Sequence, residues 1–247
     1  MKSLRTYGSR LVGLALFGFL LWVAPAAQAA NLFFSNTNDS GPGSLRQAII
    51  SANATAGLDT IIFDIPGAGV RTITPTSQLP EITKPLIIDG TSQPGYSGTP
   101  LIELNGTLAG PTAHGLLITG GNSWVKGLAI NRFKNVGIYL DNLGQNTISG
   151  NHIGVSPSGN VDLGNNNGVV VNTPISTVGG TTLAARNIIS GNKFDGLAIG
   201  NKATGSIVRG NYIGTNAAGT AAIPNGSQGV YLTYAENILI GGVVPGA

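Results

Sequence analysis

The residues of this chain that could do chemistry are few, and they fall at repeat spacing. Cleaving an acidic polysaccharide takes carboxylates that hold Ca²⁺ through oxygen and an Arg or Lys that removes a proton. Hydrolysing a glycosidic bond takes two acids facing each other across it. Five phrases of the form Gly–apolar–x–apolar begin at Gly115, Gly137, Gly168, Gly196 and Gly229. Equivalent positions of successive repeats stack, so columns can be searched for such clusters. The position after each phrase holds Thr119, Asp141, Asn172, Gly200 and Thr233, and the position before it holds His114, Val136, Asn167, Asp195 and Gln228. Neither column has two carboxylates. Asp162, on the longer connection after Gly154, has no second acid near it in sequence. Only acids meeting across columns would make a hydrolase.

Other motifs are equally sparse. His114 and His152, 38 residues apart, fall in different columns and are expected at turns or on the surface rather than on a metal. Arg132, Arg186 and Arg209 follow the repeat and are expected to be solvated or bonded to turns. No Gly-Lys-Ser/Thr follows a strand, so no phosphate loop is present. One column remains. The outward residue between the two apolar ones reads Leu117, Tyr139, Val170, Ala198, Tyr231, an apolar exterior stripe with two tyrosines. Asp141 and Thr233 would form its rim. Either loops such as 154–166 and 214–228 cover it, or it is a contact surface for a glycan or a partner protein. The tyrosines are expected about four coils apart, near ~19 Å at ~4.8 Å per rung.

The elements carrying these columns read as short strands. The apolar runs are four to six residues long, rich in β-branched residues, and separated by Gly, Asn, Ser or Pro. A second phrase, Ile148-Ser-Gly-Asn-His-Ile-Gly154, returns as Val208-Arg-Gly-Asn-Tyr-Ile-Gly214. The larger unit repeats at offsets of 60 to 62 residues, which fits three short coils or two long ones; the strand phrases favour coils of about 20–25 residues. Glycine is expected to supply the left-handed turns at the corners, and stacked Asn to bond neighbouring amides. The alternation points Leu116/Ile118, Ile138/Leu140, Val169/Val171, Leu197/Ile199 and Val230/Leu232 inward. Before the coils, Ser44-Leu-Arg-Gln47 reads as a capping box. It would open a helix with Leu45, Ala48, Ile49 and Ala52 on one apolar face and a stop at Gly57.

Composition bounds the setting. Lys2, Arg5 and Arg10, an apolar run from Leu11 to Ala24, Pro25 and the small-x-small site Ala27-Gln28-Ala29 make residues 1–29 a secretory signal peptide. The run is too short for a comfortable membrane span of about 20 residues, so no span is expected after its removal. Three of the 13 basic residues lie in this leader, leaving 10 against 10 acids. A neutral mature chain offers no basic patch for nucleic acid. With no cysteine, its stability must come from packing and hydrogen bonding.

The phrases "NTISGNHIG", "RNIISGN" and "GNYIGTNAAGTAAIPN" resemble the repeats of bacterial right-handed parallel β-helix proteins. The stretch "GSLRQAIISANATAGLDTIIFDIPG" resembles the N-terminal segment of a group whose motif reads Cys-Ser-Leu-Arg-Glu-Ala, with Gly43 in place of the Cys and Gln47 in place of the Glu. The resemblance covers about residues 40–247. It implies an all-β, pectate-lyase-like superhelix and export, but not lyase activity. The expected organisation is leader 1–29, an N-terminal segment 30–59 with a capping helix, and parallel β-helix repeats over 60–247. The second copy of "GG" at Gly241-Gly242 is not followed by the expected "RNIISGN", which reads as a truncated repeat. The functional expectation is a secreted or cell-surface protein with no catalytic residue, metal or cofactor. It would bind a polysaccharide or a surface protein through Tyr139, Tyr231 and Asp141. The alternative is a polysaccharide lyase, which would need Ca²⁺, or a glycoside hydrolase.

Overall fold

The computed structural model describes residues 29–242. The expected leader, apart from Ala29, and the last five residues lie outside that range. Three parallel sheets hold the strands. Sheet A has eight, at Asn31–Phe34, Asp59–Phe63, Leu86–Asp89, Trp124–Lys126, Thr147–Ser149, Thr177–Gly179, Ile207–Arg209 and Leu239–Ile240. Sheet B has six, at Arg71–Ile73, Ile102–Asn105, Leu128–Asn131, His152–Ile153, Ile188–Ile189 and Tyr212–Ile213. Sheet C has five, at Leu116–Gly120, Val136–Leu143, Asn167–Asn172, Leu197–Ile199 and Val230–Leu232. From Asp59–Phe63 onward, successive strands visit A, B and C in the same order, and each pairs with the strand of its own sheet one coil on. Ile82 stands in for the sheet C strand of the first coil by bridging to Ile118.

Apolar columns run through the stack. In sheet A, Ile61, Ile88, Val125, Ile148, Val178 and Val208 are in register; in sheet B, Ile73, Leu104, Ile130, Ile153 and Ile189 are. Sheet C supplies Ile118, Leu140, Val171 and Ile199, and all three columns belong to one buried cluster. The five Gly–apolar–x–apolar phrases all lie in sheet C, and four of their apolar pairs are buried as expected. The fifth is not: Val230 is half-buried and Leu232 exposed, because their strand is the sheet's last and no further rung among the described residues packs on it.

The sequence rationale for these glycines needs correction. Left-handed backbone does turn the corner at Gly150 (φ 66°) and Gly210 (φ 67°). The glycines that open the sheet C phrases have no such φ; instead, a Cβ at Gly115 or Gly168 would overlap the carbonyl oxygen of Gly137 or Gly196 on the next rung. Close stacking, rather than turning, excludes a side chain there.

Coils are longer than the phrases suggest. Neighbouring rungs are separated by 22 residues at the least (Ile118 to Leu140) and 37 at the most (Ile88 to Val125). The sixty-residue unit is two coils, Ile148 to Val178 to Val208. It takes two because the long connection alternates. After Ile153 and Ile213 the B-to-C connection is long; after Gly179 the A-to-B connection, with its 3₁₀ turn at Leu183–Ala185, is long instead.

Buried side chains close every corner. At the A–B corner, Asn187 Oδ1 accepts from Asn151 N (3.0 Å) and Nδ2 (3.2 Å), and Asn211 Oδ1 accepts from Asn187 N (3.3 Å) and Nδ2 (2.9 Å). At the B–C corner, Asn192 Oδ1 accepts from Asn165 N and Nδ2, and Asn225 Oδ1 from Asn192 N and Nδ2. At the C–A corner, Leu86 N, Ser123 N, Asn146 N and Ser176 N donate in turn to Ser123, Asn146, Ser176 and Ser206 side chains. The bonds from backbone N satisfy donors that the turns have taken out of the sheet ladders, and the Nδ2 bonds link one side chain to the next.

Between the first two strands lies the helix α1, Leu45–Ala54, with Leu45, Ala48, Ile49 and Ala52 buried in the common core. The Ser44 side chain accepts from Gln47 N (3.2 Å), but the reciprocal half of the capping box is missing, since Ser44 N donates to Gly41 O and Gln47 Nε2 turns to Ser51. The helix stops before Gly57, where Thr55 donates through both N and Oγ1 to Ala52 O. Arg46 and Asn53 tie it to the first coil, donating to the Gln78 and Glu81 carbonyls. A strand at Asn31–Phe34, for which the sequence pattern gives no expectation, pairs with Asp59–Phe63.

Two stability outcomes follow from this packing. Ile49→Asp places an unpaired charge in the core and is expected to cost more than about 3 kcal/mol. A neutral effect in thermal or denaturant unfolding would show that the helix is not part of the cooperative core. Asn187→Ala leaves the buried Asn151 backbone N–H without an acceptor and removes the donor to Ile148 O, and is expected to cost about 2–4 kcal/mol. A loss below about 0.5 kcal/mol in urea unfolding would mean that the ladder contributes nothing beyond packing.

Candidate functional site

The outward column of sheet C is assembled as the spacing requires. Leu117, Tyr139, Val170, Ala198 and Tyr231 are register partners on five successive rungs. Tyr139 and Tyr231 are three rungs apart rather than four, so their separation along the stack is about 14 Å at ~4.8 Å per rung. Tyr231 is 45 % exposed, while Tyr139 is half-buried, its ring 5.2 Å from that of His114. A shallow depression of about 270 Å³ runs along the strip between them, with Val170 and Ala198 as its floor and Asn167, Asn172, Asp195 and Thr233 on its rim.

Asp141 stands at the edge of this strip and is already engaged. Its Oδ1 accepts from Asn172 Nδ2 (2.9 Å) and pairs with Lys202 Nζ (3.4 Å). The lysine is exposed, so water screens the pair and it contributes little to stability. The column on the other edge forms a chain of bonds, with Asp195 N donating to Asn167 Oδ1 and Gln228 N to Asp195 Oδ1. Asp162 accepts from Gly164 N within its own turn.

The two long loops do not fold over the tyrosines. Val155, Ile188 and Ile223 form a separate buried cluster with Tyr212 and Ala217 packed on it. Ile188 and Tyr212 belong to the outward column of sheet B, so the 154–166 and 214–228 connections cover sheet B instead. Ala217 N donates to Gly159 O (3.0 Å), which bonds one loop to the other. The physical reason is the alternation of long connections. The coil between them turns from B to C within a few residues, and the loops meet across that short corner.

The sequence columns did not anticipate a groove at the A–B corner. Its walls are the 90–101 connection and the 3₁₀ turn Leu183–Ala185, both outside the repeat phrases. Trp124 projects from sheet A, 40 % exposed, and its Nε1 donates to Ser149 Oγ (2.8 Å) on the next rung. Lys126 lies 5.0 Å from the centre of the Trp124 ring and 2.9 Å from Asp89. Burial, with the charge of Asp89 added, pushes the Tyr96 hydroxyl above its ordinary value. Trp124, the one tryptophan outside the expected leader, was the available signal.

The two histidines sit apart, His114 before sheet C and His152 on the outward face of sheet B. Nδ1 of each is buried without a hydrogen-bond partner. Burial holds both imidazoles below the usual histidine value, and at His152 the Ser156 and Pro157 backbone offsets it only partly. No group of three or more His, Asp or Glu side chains able to hold a metal occurs among the described residues. Because the unfolded chain takes protons at higher pH than the folded one, stability falls as pH drops below about 6.5 and levels off below the folded values. His152→Gln is expected to reduce the Tm difference between pH 7.5 and pH 5; an undiminished difference would place the acid sensitivity elsewhere.

No known family model matches the chain and no curated protein matches its sequence, which leaves the geometry of these surfaces as the ground for assigning a function.

Proposed function

We propose that the protein is an exported, non-catalytic, right-handed parallel β-helix that binds a glycan or surface protein through its exterior. The N-terminal apolar run with its small-x-small site supports export. The constant A-to-B-to-C order of parallel strands supports the superhelix, and its hand follows the strong preference of parallel crossovers for right-handed turns. In this reading α1 covers the core at the Asn31–Phe34 end and blocks association through it.

The observation that carries the functional part is the uncovered strip on sheet C. Two tyrosines about 14 Å apart flank an apolar floor while the available loops cover a different sheet. Aromatic faces with amide and hydroxyl groups alongside suit sugar rings, whose C–H faces stack and whose hydroxyls bond. Asp141, held by Lys202 and Asn172, serves as rim and not as an acid or base.

The purified protein, screened against a panel of polysaccharides, is expected to bind without releasing product. Replacing Tyr139 and Tyr231 together by Ser should weaken that binding at least tenfold and lower Tm by no more than about 4 °C. A larger fall in Tm would show that the rings are structural. Unsaturated or reducing sugar released by the protein, and lost on Asp141→Ala or Asp162→Ala, would make it an enzyme instead.

A further inference from the structure

The groove at the A–B corner differs from the tyrosine strip in size and in charge. It has two halves that share Tyr96 and Ala184, about 460 Å³ beside Trp124 and Lys126 and about 280 Å³ beside Arg186. Together they fall in the size range of built ligand sites. Among the described residues, no Asp or Glu lines either half. Lys126 is matched by Asp89, but Arg186 makes no ion pair among the described residues. It is nonetheless fixed in place. Its guanidinium lies 4.0 Å from the centre of the Tyr212 ring, and its Nε donates to Gly210 O (3.1 Å). Trp124 is fixed by Ser149 with part of its surface in solvent.

We propose that this groove is a second binding site, for a glycan that carries a carboxylate or sulfate, with a sugar ring against Trp124 and the acidic group on Arg186. A held guanidinium without an ion-pair partner selects an anion, with the one acid at the groove's edge, Asp89, matched by Lys126, and its planar fork suits an oxyanion. The exposed indole beside Ser149 and Tyr96 selects a ring with both apolar and hydroxyl faces. A polynucleotide fits less well. It carries a phosphate at every residue and needs a continuous basic track, which one unmatched arginine and one matched lysine do not make. The site does not depend on the sheet C strip.

Trp124 reports on this groove directly. In protein carrying Trp22→Phe it is the sole tryptophan, whether or not the leader has been removed. Titration with alginate (carboxylated) or dextran sulfate (sulfated) is expected to shift or quench its emission, whereas dextran (uncharged) leaves it unchanged. Whichever polyanion responds identifies the acidic group. Raising the salt should weaken the response, Arg186→Gln should weaken it at least tenfold, and Arg186→Lys should fall between. The Tyr139→Ser, Tyr231→Ser variant should leave it intact, so that failure of one site is told from failure of the other. No response to either polyanion, an equal response to dextran, or full affinity in Arg186→Gln would overturn the proposal. Should Arg186→Gln fail to fold, the salt and dextran comparisons on the unaltered groove decide it.

Discussion

The structure depends on amide and hydroxyl side chains buried at the corners of the coils. A chain that turns three times per coil removes backbone N–H groups from the sheet ladders at each turn and buries them. An unpaired one costs about 1–3 kcal/mol. Asn151, Asn187 and Asn211 solve this at one corner, Asn165, Asn192 and Asn225 at the next, and Ser123, Asn146, Ser176 and Ser206 at the third. In the two asparagine ladders each Oδ1 accepts from the amide of the preceding rung, while Nδ2 donates back to a strand carbonyl such as Ile148 O or Ile130 O. The ladders therefore fix register as well as satisfying donors, since a coil shifted by one residue would break both bonds. Stacking of Ile, Val and Leu is non-directional and could not do this alone.

Once register is fixed, variation is confined to connections, and the connections decide which faces are open. Long B-to-C loops occur on alternate coils and bond to each other through Ala217 and Gly159, closing sheet B. The long A-to-B connection on the intervening coil brings Leu183–Ala185 over the corner and makes one wall of the groove. Sheet C, with neither, keeps its outward column accessible. Covered sheet, walled groove and open strip thus come from a single alternation of loop position, superimposed on an otherwise uniform stack.

The two surfaces differ in chemistry in a way that matters for ligands. The strip on sheet C is shallow, its one nearby lysine is neutralised by Asp141, and its rim is mostly amide and hydroxyl. The corner groove is larger, its nearest acid, Asp89, is matched by Lys126, and it holds a guanidinium against Tyr212 that has no carboxylate partner among the described residues. In the proposed reading, a neutral sugar chain or a protein would occupy the first and an anionic glycan the second. Binding of both along one stack would raise avidity for a polymer without requiring high affinity at either site.

Much of the fold was legible in residue order because a repeat makes each position its own control. Five glycine phrases placed sheet C, the alternation within them gave inward and outward residues, and Ser44 with the apolar face of α1 gave the helix. The outward tyrosines could be named because the strand period is two and Tyr139 and Tyr231 occupy the same place in their phrases. Three matters escaped that reasoning. Whether a loop covers the strip depends on where connections lie around the coil, which spacing along the chain does not record. Rung count between the tyrosines depends on coil lengths that vary from 22 to 37 residues. The groove joins Tyr96, Trp124 and Arg186 from three different coils, none in equivalent repeat positions. Local pattern specifies what stacks on what; only the path of each coil through three dimensions decides which connections meet at a corner and what they leave open.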